Sequence, residues 1–138
     1  MRLTTVTTAI AVFAVMTTTC SAAELSRAYQ ACVNRNTTNS AWGACGGDEI
    51  DRQERHLNQV WSSKLGCFDK RSEAWQRLLD EQRTWLKWKD GACRFYGAND
   101  RDGSRMFGRE GQVLDGPACR AEIVAQRAEF LEQLCRGR

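Results

Sequence analysis

Apolar residues recur at helical spacing in three segments of the chain, and none shows sustained two-residue alternation. The first segment follows Gly46-Gly47, with Asp48 as the N-cap and Ile50, Leu57, Val60-Trp61 and Leu65 as the stripe. The second runs from about 72 to 93, with Trp75, Leu78-Leu79, Trp85-Leu86 and Cys93 on one side. The third starts at Pro117, a residue suited to the first helical position, and carries Ile123-Val124, Phe130-Leu131 and Leu134. A shorter helix over 25–33 precedes them. The pattern predicts an all-α fold: a small antiparallel bundle of three main helices plus a short N-terminal helix.

Met1 to Ala23 reads as a signal peptide. Arg2 supplies the positive charge, Ile10 to Met16 the apolar centre, and Ser21-Ala22-Ala23 the small-residue cleavage pattern. The apolar centre is shorter than the roughly 20 residues a membrane span needs, so no span is expected. Cys20 raises a lipoprotein alternative, but Thr17-Thr18-Thr19 before it is a poor lipobox. Residues 24–138 then form a single domain, soluble and either periplasmic or secreted. Losing the leader removes one of 20 basic residues and none of 17 acidic ones, leaving a net charge of +2 (19 − 17). So weak a balance, with no basic stripe among stacking aromatics, argues against nucleic acid as a partner.

Six cysteines remain: Cys32, Cys45, Cys67, Cys93, Cys119 and Cys135. An even set in a short exported chain points to disulfides and an oxidising compartment. Six cysteines allow about 15 pairings. Helices of about 18–22 residues packed up, down, up place Cys93 and Cys119 at one end and Cys67 and Cys135 at the other. The expected pairs are therefore Cys93–Cys119, Cys67–Cys135 and, closing the N-terminal loop, Cys32–Cys45.

Between the second and third helices, 94–116 reads RFYGANDRDGSRMFGREGQVLDG, with five glycines and little periodicity. Long irregular loops inside compact domains often carry function. Arg101, Ser104, Arg105 and Arg109 give this loop basic and hydrogen-bonding groups, and a Cys93–Cys119 clamp would order it before it meets a partner. Trp88, on the flank of the second helix, is a further candidate contact. Trp61, Trp75 and Trp85 belong to the core stripes. Trp42 lies between two cysteines and suits either a partner surface or a lid.

Catalysis finds little support. His56 is the only histidine, so a Ser-His-Asp or Cys-His arrangement would depend on it alone. Cysteines held in disulfides leave few metal ligands, and no metal or cofactor is expected. Asp100-Arg101-Asp102-Gly103 resembles part of a calcium loop. Aligning Gly103 with the invariant glycine of an EF-hand, however, puts Ala98 at the first ligand and Arg109 at the last. No carboxylate pair stands out for glycoside hydrolysis. Asp48, Glu49, Asp51 and Glu54 cluster at the expected start of the first main helix, where acids suit the helix dipole and could also attract a basic partner. The chain reads as a binding protein, not an enzyme.

Several of these residues together resemble a known family. Cys32 and Cys45 are followed by Asp51, Leu57-Asn58 and Trp61. LLDEQRTWLKWKDGAC then supplies Leu78, Gln82-Arg83, Trp85, Lys89-Asp90 and Cys93, and Gly103-Ser104, Cys119, Arg127 and Leu131 complete the pattern. The run is similar to the lysozyme-inhibitor LprI-like N-terminal domain family. Lys89 and Trp61 stand where that family usually has Arg and Tyr, and Cys67 and Cys135 are additions to its four-cysteine core. The resemblance implies a helical, disulfide-bonded, exported protein whose partner is a lysozyme or another peptidoglycan hydrolase. Occlusion of that enzyme's active-site cleft, with Ser104 and Arg105 foremost, is the leading expectation. A periplasmic immunity or envelope accessory protein that binds a different toxin or partner is the alternative.

Overall fold

A computed structural model describes residues 25–136 of the chain. The expected leader, with Cys20, lies outside them. Three long helices carry the fold: α2 (Asn39–Ser63), α3 (Glu73–Lys89) and α5 (Gly116–Gln133). The short α1 (Arg27–Arg35) precedes them. The one-turn α4 (Gly108–Glu110) follows a 3-10 turn at Arg94–Gly97 and leads through a π turn at Gly111–Asp115 into α5. Among the described residues there is no strand, only an isolated antiparallel bridge between Asn99 and Arg105. The all-α expectation holds.

Hydroxyl caps set three of the helix starts. The side chains of Ser26, Thr38 and Ser72 accept the backbone N–H groups of Tyr29, Ala41 and Trp75, satisfying donors that the first turn would otherwise leave unpaired. The expected N-cap at Asp48 is therefore wrong by nearly three turns, since Thr38 caps the helix. Gly46-Gly47 does not break α2, because Gly46 serves close packing. A Cβ there would lie 2.4 Å from the Pro117 Cβ, so glycine lets the N-terminal half of α2 touch the start of α5. Along the seam, Ala121, Ala125 and Ala128 keep α5 close to its neighbours, all three buried.

The main core comprises Leu57, Val60, Leu65, Trp75, Leu78, Val124, Ala128 and Leu131, with Trp61 and Trp85 packed at its margin. Trp75 meets Trp61 at 5.5 Å and Phe68 at 6.1 Å between ring centroids. Polar ties join the helices around this core. Arg127 of α5 is buried, donating from Nε to Gln82 Oε1 and from Nη1 to Glu81 Oε1 of α3, both at 2.7 Å. Its guanidinium also faces the rings of Trp85 and Phe130, 5.7 and 5.0 Å from their centroids. Lys89 of α3 pairs with Glu54 of α2 at 2.7 Å. Burial lowers the Lys89 pKa, but its hydrogen bonds and attraction to Glu54 and Asp90 outweigh that and raise it.

All three expected disulfides are present: Cys32–Cys45, Cys67–Cys135 and Cys93–Cys119, with Cα separations of 5.8, 5.7 and 6.0 Å. One staples α1 to α2, one fastens the distal end of the bundle, and one closes the segment between α3 and α5. Cys93 is not in the second helix as the periodicity suggested. It lies beyond the end of α3 in a left-handed conformation, φ 64°, where the chain turns into the loop.

Candidate partner-binding site

The segment between Cys93 and Cys119 is more ordered than its glycines suggest. After the 3-10 turn, Ala98–Met106 folds back on itself as a small hairpin. The Asp100 N–H donates to Ser104 O at 2.6 Å, and the Gly103 N–H donates to Asp100 O at 2.9 Å. Gly103 occupies φ +83°, a region that a residue with a Cβ enters only at a cost. Asp102 Oδ1 accepts both the backbone N–H of Ser104 at 2.9 Å and its hydroxyl at 2.6 Å. Those bonds hold the Asp102 carboxyl below the ordinary aspartate range.

The base of the hairpin rests on its own aromatic cluster. Phe95 stacks on Tyr96 at 4.4 Å, and Phe107 meets both at 5.7 and 5.0 Å. Glycine permits this cluster to sit against the chain that leads into α5. A Cβ on Gly111 would fall 2.3 Å from the Phe107 Cβ, and one on Gly116 3.3 Å from the Tyr96 Cβ. Every residue from 97 to 110 is nonetheless exposed. Tertiary burial is confined to the base, and the tip is held by local hydrogen bonds.

The structure brings Arg101, Ser104 and Arg105 together on the hairpin and places Arg109 in α4, one turn beyond it. Trp88 sits apart from them, on the last turn of α3, with 56% of its surface exposed. Sequence reasoning missed Phe95, Met106 and Phe107, which are 54%, 66% and 38% exposed around the same loop. Their signal was the apolar pairs flanking the polar tip, which the absence of helical periodicity hid. Trp42 is half-buried in α2, and its indole N–H donates to Asn36 O at 2.8 Å.

The acidic cluster on α2 changes meaning. Since α2 begins at Asn39, Asp48, Glu49, Asp51 and Glu54 lie well inside the helix, and the N-terminal dipole does not explain them. Glu49 is completely buried, accepting Ser26 N at 2.9 Å, Ser26 Oγ at 2.5 Å, Gln53 at 2.8 Å and Arg52 at 2.8 Å. Burial pushes its carboxyl up, but the hydrogen bonds from Ser26 and Gln53, with the Arg52 charge, bring it below the usual value. With Glu54 paired to Lys89, Asp48 and Asp51 are the exposed members of the cluster. Among the described residues, no group of three or more His, Cys, Asp and Glu side chains is placed to hold a metal ion. No helix there is long and apolar enough to cross a membrane.

A scan against protein families matches residues 32–131 to the family described as lysozyme inhibitor LprI. The chain belongs to the LprI family. No curated protein and no solved structure matches it. The positions on which the sequence resemblance rests divide by role in the fold. Gln82, Arg127 and Lys89 bind helix to helix, whereas Gly103-Ser104 shapes the exposed hairpin. Leu57, Asn58, Trp61, Gln82 and Arg83 line a shallow groove of about 230 Å³ between α2 and α3.

Proposed function

We propose that this protein inhibits lysozyme, acting in the periplasm or outside the cell and occluding the enzyme's cleft with the Ala98–Met106 hairpin. Membership of the LprI family supports the inhibitor class and a role without catalysis of its own. The three disulfides support an oxidising compartment. The observation that carries the cleft reading is a tip exposed from 97 to 110 yet ordered by its own hydrogen bonds and anchored by Cys93–Cys119. Such a segment loses little conformational freedom on docking.

Lysozyme works through a pair of carboxylates. A guanidinium is the side chain best suited to meet one, through paired, charge-assisted hydrogen bonds. Arg101 and Arg105 flank the turn and fill that role. Ser104, whose hydroxyl already donates to Asp102, holds the turn and retains lone pairs to accept from a partner. Phe95, Met106 and Phe107 give the docking surface its apolar contact area and Arg109 extends it, whereas Trp88, set apart on α3, is left outside it. The net charge of +2 expected after loss of the leader provides no bulk attraction to a basic lysozyme, so recognition depends on local fit.

The test is a cell-wall turbidity assay with oxidised chain 24–138 against c-type, g-type and i-type lysozymes. Saturable inhibition of one class, lost on reduction and weakened by Arg105→Ala, is the expected result. No inhibition at micromolar excess would overturn this reading in favour of an immunity or envelope accessory role. Inhibition unaffected by Arg101→Ala and Arg105→Ala, with helicity intact, would retain the inhibitor but discard the hairpin.

A further inference from the structure

A cleft of about 330 Å³ opens beside the base of the hairpin, where the loop meets the first turn of α5. Its walls include Arg94 and Tyr96 from the 3-10 turn, Gln112 from the π turn, and Pro117 and Arg120 from α5. No acidic side chain lines it. Neither Arg94 nor Arg120 enters an ion pair with a side chain of the described residues. The Arg94 Nε donates to Asp90 O at 2.8 Å, which fixes the side chain and leaves its terminal nitrogens available. Two guanidiniums sharing a cleft without a counter-charge form a receptor for a carboxylate, the group their planar donor forks fit best.

The rest of the lining selects the body that carries the carboxylate. The Gln112 side chain offers a donor and an acceptor to hydroxyl or acetamido groups, and the Tyr96 ring adds an apolar face beside a polar edge. The volume is at the small end of ligand sites, enough for one sugar ring with its substituents. The walls are built in advance: Cys93–Cys119 ties the two sides together, and Gly116 packs against the Tyr96 Cβ. We propose that this cleft binds an acidic amino sugar, with Arg94 and Arg120 on its carboxylate and Gln112 on its neutral polar groups. Binding here is separate from occlusion of an enzyme by the hairpin tip.

N-acetylmuramic acid and N-acetylglucosamine make a matched pair of probes, since they differ by the lactyl carboxylate. Titration into the oxidised protein, followed by calorimetry and by the NMR signal of the Gln112 side-chain amide, reads the site directly. The expected result is binding of the acidic sugar at least tenfold tighter than the neutral one, with Arg120→Gln weakening it about tenfold. Gln112→Ala gives a smaller loss and leaves both arginines in place. Equal binding of both sugars, or no response to the acidic one at about 10 mM, would overturn the proposal. Lactate alone binding as tightly as the acidic sugar would overturn the sugar assignment. Enzyme inhibition plays no part in this readout, so failure here and failure of the hairpin reading are distinguishable.

Discussion

The helical bundle and the loop between Cys93 and Cys119 both contain charged residues, arranged in opposite ways. On the bundle side, Glu49 and Arg127 are buried, and each is hydrogen-bonded to residues of another segment. In the hairpin, Asp100, Asp102 and Ser104 are exposed and bond only within a few residues of themselves. A buried charge is tolerated only when its partners are fixed, so the bundle's charges specify how helices meet. The hairpin's bonds specify one local shape and leave Arg101 and Arg105 free to face a partner. Substitutions on the bundle side should therefore change stability, and substitutions at the tip should change binding.

The largest effect is expected from Glu49→Ala. It strands the Ser26 N–H and hydroxyl and the Gln53 amide, for a loss of about 3 kcal/mol in denaturant unfolding. The same group gives a pH signature. Because the folded state lowers its pKa, its contribution is fully present above the ordinary value of 4.5 and is lost as pH falls through the lowered one. Melting temperatures should therefore fall less steeply in acid for Glu49→Gln than for the parent. Parallel profiles from pH 7 to 2 would show that Glu49 does not hold α1 in place.

Replacing Cys93 and Cys119 together by serine should cost about 2–3 kcal/mol. It also tests the boundary between the two regions. Inhibition should fall further than lost stability explains, because the hairpin base opens while α2 and α3 remain helical by circular dichroism. Gly46→Ala comes next. The gain in helix propensity is about 1 kcal/mol, but the clash with Pro117 costs more, leaving a net loss of about 1–2 kcal/mol. A stabilised Gly46→Ala would mean that α2 and α5 are less tightly joined than the Pro117 contact requires.

These residues also show what was legible in the sequence. Most of the core stripes followed from helical period, and Cys93–Cys119 and Cys67–Cys135 from helix length, because apolar spacing reports which face is buried. Leu86 and Phe130, placed on those stripes, are instead 40% and 44% exposed. The start of α2 did not. Glycine pairs mark breaks and close approaches alike, and only the position of Pro117 distinguishes them. The burial of Glu49 was hidden for a similar reason: its partner Ser26 is 23 residues away and caps another helix. In the loop, local chemistry flagged the polar tip. Its aromatic base was invisible because Phe95, Tyr96 and Phe107 come together through turns that have no repeating period.

Arg105→Ala reverses the pattern of the bundle-side variants. The side chain is exposed, so stability should change by less than about 0.5 kcal/mol. Inhibition should weaken about tenfold or more, as expected when an arginine at the centre of an interface is truncated. A loss of stability without a loss of inhibition would invert the roles assigned to the two regions.

Ser104→Ala should have the smallest effect, and it separates two ways the tip could work. The hydroxyl donates to Asp102 at 2.6 Å, but the backbone N–H of Ser104 donates to the same oxygen and survives the substitution. In an exposed turn the lost bond is worth under about 1 kcal/mol, because water replaces it. If Ser104 acts by holding the turn, inhibition should fall only about twofold to fivefold, and Ser104→Thr should restore it. If its oxygen instead contacts the enzyme, alanine should cost as much as Arg105→Ala, and the added methyl of threonine should not rescue it. The first outcome assigns recognition to the arginines and shape to the Asp102–Ser104 pair. The second would move the centre of the interface onto the turn itself.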